Sequence, residues 1–290
     1  MKQLKLGIPK GSLQESTLRL FQQSGWKISL SDRNYFPEIN DPCISCSICR
    51  AQEMSRYVEN GTFDVGLTGR DWIMENDSKV HVVADLIYSK ASQSPARWVL
   101  AVPMDSPIKS EKDLQGKKIS TELVNFTRRH FESKGISVNV EFSWGATEAK
   151  VISGLCDAIV EVTETGTTMR ANGLRIVQEL MQSNTQLIAN LDAWQQRWKR
   201  DKMEHISLLL QGALRAEGFV ALKMNVPKGK IEDVIEVLPS LNAPTIANLY
   251  QSDWLSVETV ISKNQVRELI PNLIKRGAEG IIEYTLNKVI

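Results

Sequence analysis

Histidine is scarce in this chain. Among 290 residues there are three (His81, His130 and His205), and none stands at zinc-ligand spacing from a cysteine. An excess of one charge is missing too. The net charge of +1 gives no bulk electrostatic case for nucleic acid or an anionic membrane surface. No apolar run is long enough to span a bilayer, and Met1 to Leu6 lead into a strand without a signal-peptide core. A cytoplasmic protein that engages neither nucleic acid nor membrane is the expectation. Cysteine is also little used, yet Cys43, Cys46 and Cys49 form C-x2-C-x2-C, with Cys156 far away. That spacing is compatible with an iron–sulfur cluster. Free, half-buried thiols are the default, no metal site is assigned, and disulfides do not suit a reducing compartment.

What is present is richer. A hydrophobic fraction of 42% with 24% charged residues suits a folded chain of two or three domains. Residues 157–173 carry the strongest local signal. An apolar strand (Ala158, Ile159, Val160, Val162) runs into Thr163, Glu164, Thr165, Gly166, Thr167 and Thr168, and a helical pattern opens near Met169. Strand, hydroxyl-rich turn and helix start make an anion site, because unpaired N–H groups and the positive helix end converge. Gly166 permits close approach or positive φ. The alternative is an ordinary helix cap, for which threonine is well suited. Glu161, at the end of the strand, adds a carboxylate fit for ribose hydroxyls or a bound Mg2+.

Strands and helices alternate through residues 4–92, and a second α/β unit begins near Arg97. The two resemble the lobes of a periplasmic-binding-protein architecture, with ligand between them at strand C-termini. The expected partition is 1–92 with 174–192 as a discontinuous first lobe, and 93–173 as the second lobe. Residues 193–216 form a linker helix. Residues 217–290 read β-α-β-β-α-β, a ferredoxin-like domain.

Glu161 to Thr168, followed by Ala171, Asn172, Gly173 and Leu174, resembles the phosphoribosyl-diphosphate loop of the ATP phosphoribosyltransferase family in its long form. That family catalyses the first step of histidine biosynthesis. Further blocks fall in the family's order: residues 9–13, 61–71, 145–148 and 242–247. The resemblance implies that adenine N1 of ATP displaces diphosphate from phosphoribosyl diphosphate, with Mg2+ on the diphosphate. It makes Lys10, Arg50 and Glu161 catalytic. Substrate contacts go to Gly11, Thr68, Gly69, Asp71, Glu148, Thr163, Thr165, Gly166, Thr167 and Thr168. Each has a plainer reading as well: Lys10 and Arg50 as surface cations, Glu148 as a first-turn glutamate, and Asp71 as a helix cap. The resemblance also implies a C-terminal pocket for histidine as feedback inhibitor at Asn225, Thr245, Gly280 and Ile281, and assembly as homodimer to homohexamer. Two departures stand out. Ser12 occupies a place where many relatives carry arginine, and the family's Ala-Thr-x-Tyr-Pro turn is replaced by Ser120-Thr121-Glu122-Leu123-Val124. A two-lobed solute receptor without catalysis is the competing reading.

Overall fold

The computed structural model describes residues 2–31, 34–88 and 95–290. They divide into a larger unit, residues 1–22 with 26–207, and a smaller one, residues 23–25 with 208–290. In the larger unit β1 (Leu4–Lys10) lies between β4 (Ile44–Arg50) and β5 (Val65–Gly69), parallel to both. With β12 (Thr185–Ala189) and β6 (His81–Leu86) they form a sheet of order β4-β1-β5-β12-β6. A separate hairpin pairs β2 (Ile28–Ser31) with β3 (Asn34–Ile39). Helices α1 (Gln14–Ser24), α2 (Ala51–Glu59) and α3 (Arg70–Asn76) follow β1, β4 and β5. Met54 of α2 sits over the register pair Gly7 and Gly66, where a Cβ would come within 2.4 and 2.5 Å of its sulfur. Two glycines side by side are what let the helix lie this close to the sheet.

The second sheet of this unit has the order β11-β7-β10-β8-β9. Its strands are β7 (Ala96–Pro103), β8 (Lys118–Thr121), β9 (Asn139–Phe142), β10 (Ala158–Thr163) and β11 (Leu174–Ser183). Strand β7 is apolar on both faces because both are covered. Trp98, Leu100 and Val102 pack with Ile119 and Phe131, while Val99 and Ala101 pack with Val151, Ile159 and Met169. Helices α4 (Val124–Glu132), α5 (Thr147–Ile152) and α6 (Thr167–Ala171) belong to this lobe.

The structure moves three boundaries. Residues 174–183 were expected to return to the first lobe, but β11 runs antiparallel along β7 over its whole length. The tight turn at Gly173, whose carbonyl accepts from Met104 N at 2.9 Å, folds the chain straight back. Asn184 is where it changes sheets, so the first lobe resumes at β12. The expected helix near 193–215 breaks at Gln196, giving α7 (Leu191–Gln195), capped by Asn190 accepting from Ala193 N, and α8 (Arg197–Glu217). The smaller unit begins at Leu208, inside α8, rather than at 217.

That smaller unit holds β13 (Phe219–Pro227), α9 (Ile231–Ile235), β14 (Thr245–Asn248), β15 (Trp254–Ser262), α10 (Lys263–Lys275) and β16 (Glu279–Thr285). The order β14-β15-β13-β16, antiparallel throughout, is the ferredoxin-like arrangement. Its helices cover one face through Val220, Leu222, Val234, Leu269 and Leu273. Among the described residues no helix is long and apolar enough to cross a membrane.

Candidate active site

Parallel strands end on a common edge, and the residues just beyond those ends make the site. In the first lobe Lys10 and Arg50 are the last register pair of β1 and β4, so two cations stand together at the edge. Gly11 then turns the chain at φ 99°. The Lys10 ammonium lies 4.9 Å from the Tyr35 ring centroid. The Arg50 guanidinium lies 4.6 Å from the ring centroid of Trp144, which belongs to the second lobe.

The turn after β5 is built differently from the sequence expectation. Thr68 is fully buried and its hydroxyl donates to the Ala51 carbonyl at 2.7 Å. Alternation along the strand points it at α2, away from the cleft, so its expected substrate contact is corrected. Gly69 lines the cleft because nothing larger fits: a Cβ would lie 2.1 Å from Asp71 Oδ1. Asp71 is itself buried, and its carboxylate accepts from Trp72 N at 2.9 Å and from the Trp98 indole N–H at 2.8 Å. Burial is the largest influence on this carboxyl and raises its pKa against the pull of those donors. Its main structural act is to tie α3 to β7 across the two lobes.

In the second lobe β8, β9 and β10 are parallel neighbours and end on the same side. Beyond β10 lies the threonine loop. Gly166 has φ 74°, and its N–H donates to Thr163 Oγ1 at 2.9 Å. Thr167 N donates to Thr165 Oγ1 at 3.3 Å, and the two hydroxyls meet at 2.9 Å. Thr165, Thr167 and Thr168 remain exposed. The helix behind them spans only five residues and opens at Thr167. Hydroxyls and first-turn amides are therefore what this loop offers an anion, with little help from a helix dipole. Glu161 faces Glu148 of α5. Burial, first, and then repulsion from Glu148 raise the Glu161 pKa, while the Val162 N–H and the Thr147 side chain oppose the rise.

A cavity of about 620 Å³ lies at these strand ends, beside the entry to the threonine loop. Lys10, Gly11, Arg50 and Gly69 line it from the first lobe, and Trp144, Val162 and Glu164 from the second. Glu122, just past β8, also lines it and was not singled out in the sequence as a site residue. Burial pushes its carboxyl up to about 7, helped by the charges of Glu161 and Asp71. Trp144 was missed as well. An isolated acid and an isolated tryptophan carry no spacing signal; only the shared strand edge brings them together.

The clustered cysteines do not converge. Cys46 and Cys49, three apart on β4, point to opposite faces, and burial pushes each thiol up to about 12. Cys156 lies in the core of the second lobe. In the smaller unit Asn225 and Gly280 adjoin, a Cβ on Gly280 meeting Asn225 Nδ2 at 3.6 Å, and Ile281 packs on the core. Thr245 sits two strands from Asn225, roughly 10 Å across the sheet.

Comparison with known proteins agrees with this geometry. Residues 50–212 match the family model described as ATP phosphoribosyltransferase, and residues 216–288 match the C-terminal domain of that family. The ATP phosphoribosyltransferase of Solidesulfovibrio magneticus is 67% identical over 99% of this chain and 98% of its own length. That of Desulfatibacillum aliphaticivorans is 65% identical, with 99% and 98% covered. Among solved structures, a chain of the ATP phosphoribosyl transferase (HisG:HisZ) complex from Thermotoga maritima superposes with a TM-score of 0.63. It is 29% identical, over 73% of this chain and 98% of that one. With its cationic strand edge, threonine loop and added βαββαβ unit, the chain belongs to the ATP phosphoribosyltransferase family in its long form.

Proposed function

We propose that this chain joins ATP to phosphoribosyl diphosphate, giving phosphoribosyl-ATP and diphosphate, the first step of histidine biosynthesis. The observation that carries the reading is the cavity lined by Lys10 and Arg50 on one side and by Val162 and Glu164, where β10 enters the threonine loop, on the other. The loop's exposed hydroxyls at Thr165, Thr167 and Thr168 hold the 5′-phosphate, and Glu161 and Glu148 take the ribose hydroxyls. Adenine N1 already has a lone pair, so attack requires no strong base. As the N1–C1′ bond forms, the C1′–oxygen bond breaks and the diphosphate leaves with the electron pair. Lys10 and Arg50 oppose the charge that gathers on that leaving group. The protein's work is alignment of two polyanions, which is where most of the acceleration arises.

Among the described residues no group of three or more acidic, histidine or cysteine side chains could hold a metal. The hard oxygen donors of Glu161 and Glu148 suit Mg2+ carried in on the substrate. When bound, the ion would neutralise part of the diphosphate charge. The smaller unit is proposed to bind histidine as feedback inhibitor through Asn225, Thr245, Gly280 and Ile281, and the chain to work as a homodimer to homohexamer. The test is diphosphate release from ATP and phosphoribosyl diphosphate with Mg2+, with and without histidine. Turnover is expected in the wild type. Gly166→Val, which strains a left-handed position and crowds Arg170 and Ile176, should raise KM for phosphoribosyl diphosphate about tenfold or more. Absence of turnover together with no binding of phosphoribosyl diphosphate would favour a receptor.

A further inference from the structure

The reading above gives the phosphates and the ribose their partners but leaves the acceptor base without a seat. Two residues at the site have no assigned task. Trp144 follows β9 and is 60% exposed, a large apolar ring left open at the cleft. The neighbouring Phe142 is exposed as well, and Trp72 approaches from α3. Trp144 lines both the 620 Å³ cavity and an adjoining one of about 520 Å³. Glu122 lines the same two cavities. Among the described residues none forms a hydrogen bond or ion pair with its carboxylate, although the side chain is half-buried. A carboxylate withdrawn from water without a partner is costly unless a ligand supplies one.

Resting on that proposed activity, we infer that Trp144 and Glu122 form the seat of the acceptor purine, the ring stacked on the indole and its exocyclic amino group donating to the carboxylate. Three physical points support it. Every base has a π face, and stacking on an exposed aromatic contributes on the order of 1–3 kcal/mol. A carboxylate accepts from the 6-amino group of adenine and repels the 6-oxo group of hypoxanthine, so the pair selects as well as binds. Attack through N1 leaves positive charge spread over N1, C6 and the exocyclic nitrogen, and an anion facing that edge stabilises it as it develops. Arg50, whose guanidinium now covers one side of the Trp144 ring, is the cation that the incoming phosphates would draw toward themselves. A base and a triphosphate thus engage the two members of one stacked pair.

The test measures binding of ATP and ITP to the full chain by calorimetry, beside the KM values for ATP and phosphoribosyl diphosphate. The wild type should prefer ATP. Trp144→Leu should weaken ATP about tenfold or more while KM for phosphoribosyl diphosphate stays within about twofold, and Trp144→Phe should remain within about threefold of wild type. Glu122→Gln, whose amide can donate to a 6-oxo group, should shrink the preference for ATP over ITP. Unchanged ATP binding in Trp144→Leu, or equal loss of both substrates, overturns the inference. So does an unaltered ATP preference in Glu122→Gln. A wild type that shows this binding pattern but releases no diphosphate overturns the activity and keeps the seat.

Discussion

Glu122 shows how much one side chain can reveal about a site. Its carboxyl is raised from 4.5 to about 7, by burial first and then by Glu161 and Asp71. Glu75 of α3, Glu53 and Arg56 of α2 and Arg50 of β4 also face the cavities it lines. The folded state therefore holds a proton that the unfolded chain releases from pH 4.5 upward. Glu122's contribution to stability is fully present below 4.5 and is lost as pH rises to 7. Glu122→Gln should flatten that slope and be about 1 kcal/mol more stable than wild type at pH 8, a figure reduced for solvent screening. Urea unfolding at pH 5 and pH 8 checks it; an identical pH slope in the two proteins would refute the assignment. Gly7 makes a second point at this scale. Alanine there would place a Cβ 2.4 Å from Met54 Sδ and 2.8 Å from Phe63 Cδ2, both on buried side chains. Gly7→Ala should destabilise by about 1–3 kcal/mol, read as a lowered urea midpoint with unchanged slope.

At the scale of elements, the local signals were readable and the cross-lobe ones were not. The strand, threonine turn and helix start of residues 158–171 follow from composition alone, as does the β-α-β-β-α-β pattern after residue 217. What escaped depends on partners distant in sequence. The ten residues of β11 could have suited either sheet, and only pairing with β7 decides between them. Thr68 looks like its neighbour Gly69 until the face of β5 is known. Helix α4 offers the clearest case. Its N-cap, Leu123, provides no side-chain acceptor, so the sequence shows no cap. The acceptor comes from α3: Glu75, 8% exposed, takes Asn125 N at 3.0 Å and Phe126 N at 2.8 Å. One carboxylate satisfies two orphan donors and meets the positive helix end. Arg129 on α4 returns the contact by donating to the Met74 carbonyl. Glu75→Ala should therefore cost about 2 kcal/mol, more than an exposed cap. Because α4 begins two residues beyond Glu122, the change should also weaken ATP before it affects phosphoribosyl diphosphate. Chemical denaturation and separate KM values check both parts.

For the molecule as a whole, α8 is the element common to both units. Its first half is held in the larger unit by Lys199 on Asp64 at 2.6 Å and Lys202 on Asp41 at 2.5 Å, all four side chains largely buried. Its second half, from Leu208, belongs to the smaller unit. If histidine acts from the smaller unit, its binding must differ between two states of the chain, by the free energy that sets inhibition. The ligand's charge needs an answer there. Asn225 offers a hydrogen bond but carries no charge. Here the register partner of Asn225 on β16 is Glu279, exposed and on the same face. A carboxylate for that charge stands one strand over, beside Gly280. Glu279→Gln should weaken histidine inhibition about five- to twentyfold, the scale of a charge-assisted hydrogen bond, while turnover without histidine stays within about twofold. Inhibition curves at saturating ATP and phosphoribosyl diphosphate read this directly. An unshifted curve would move the charge recognition away from β16, and a loss of uninhibited turnover would show that Glu279 serves the catalytic unit instead.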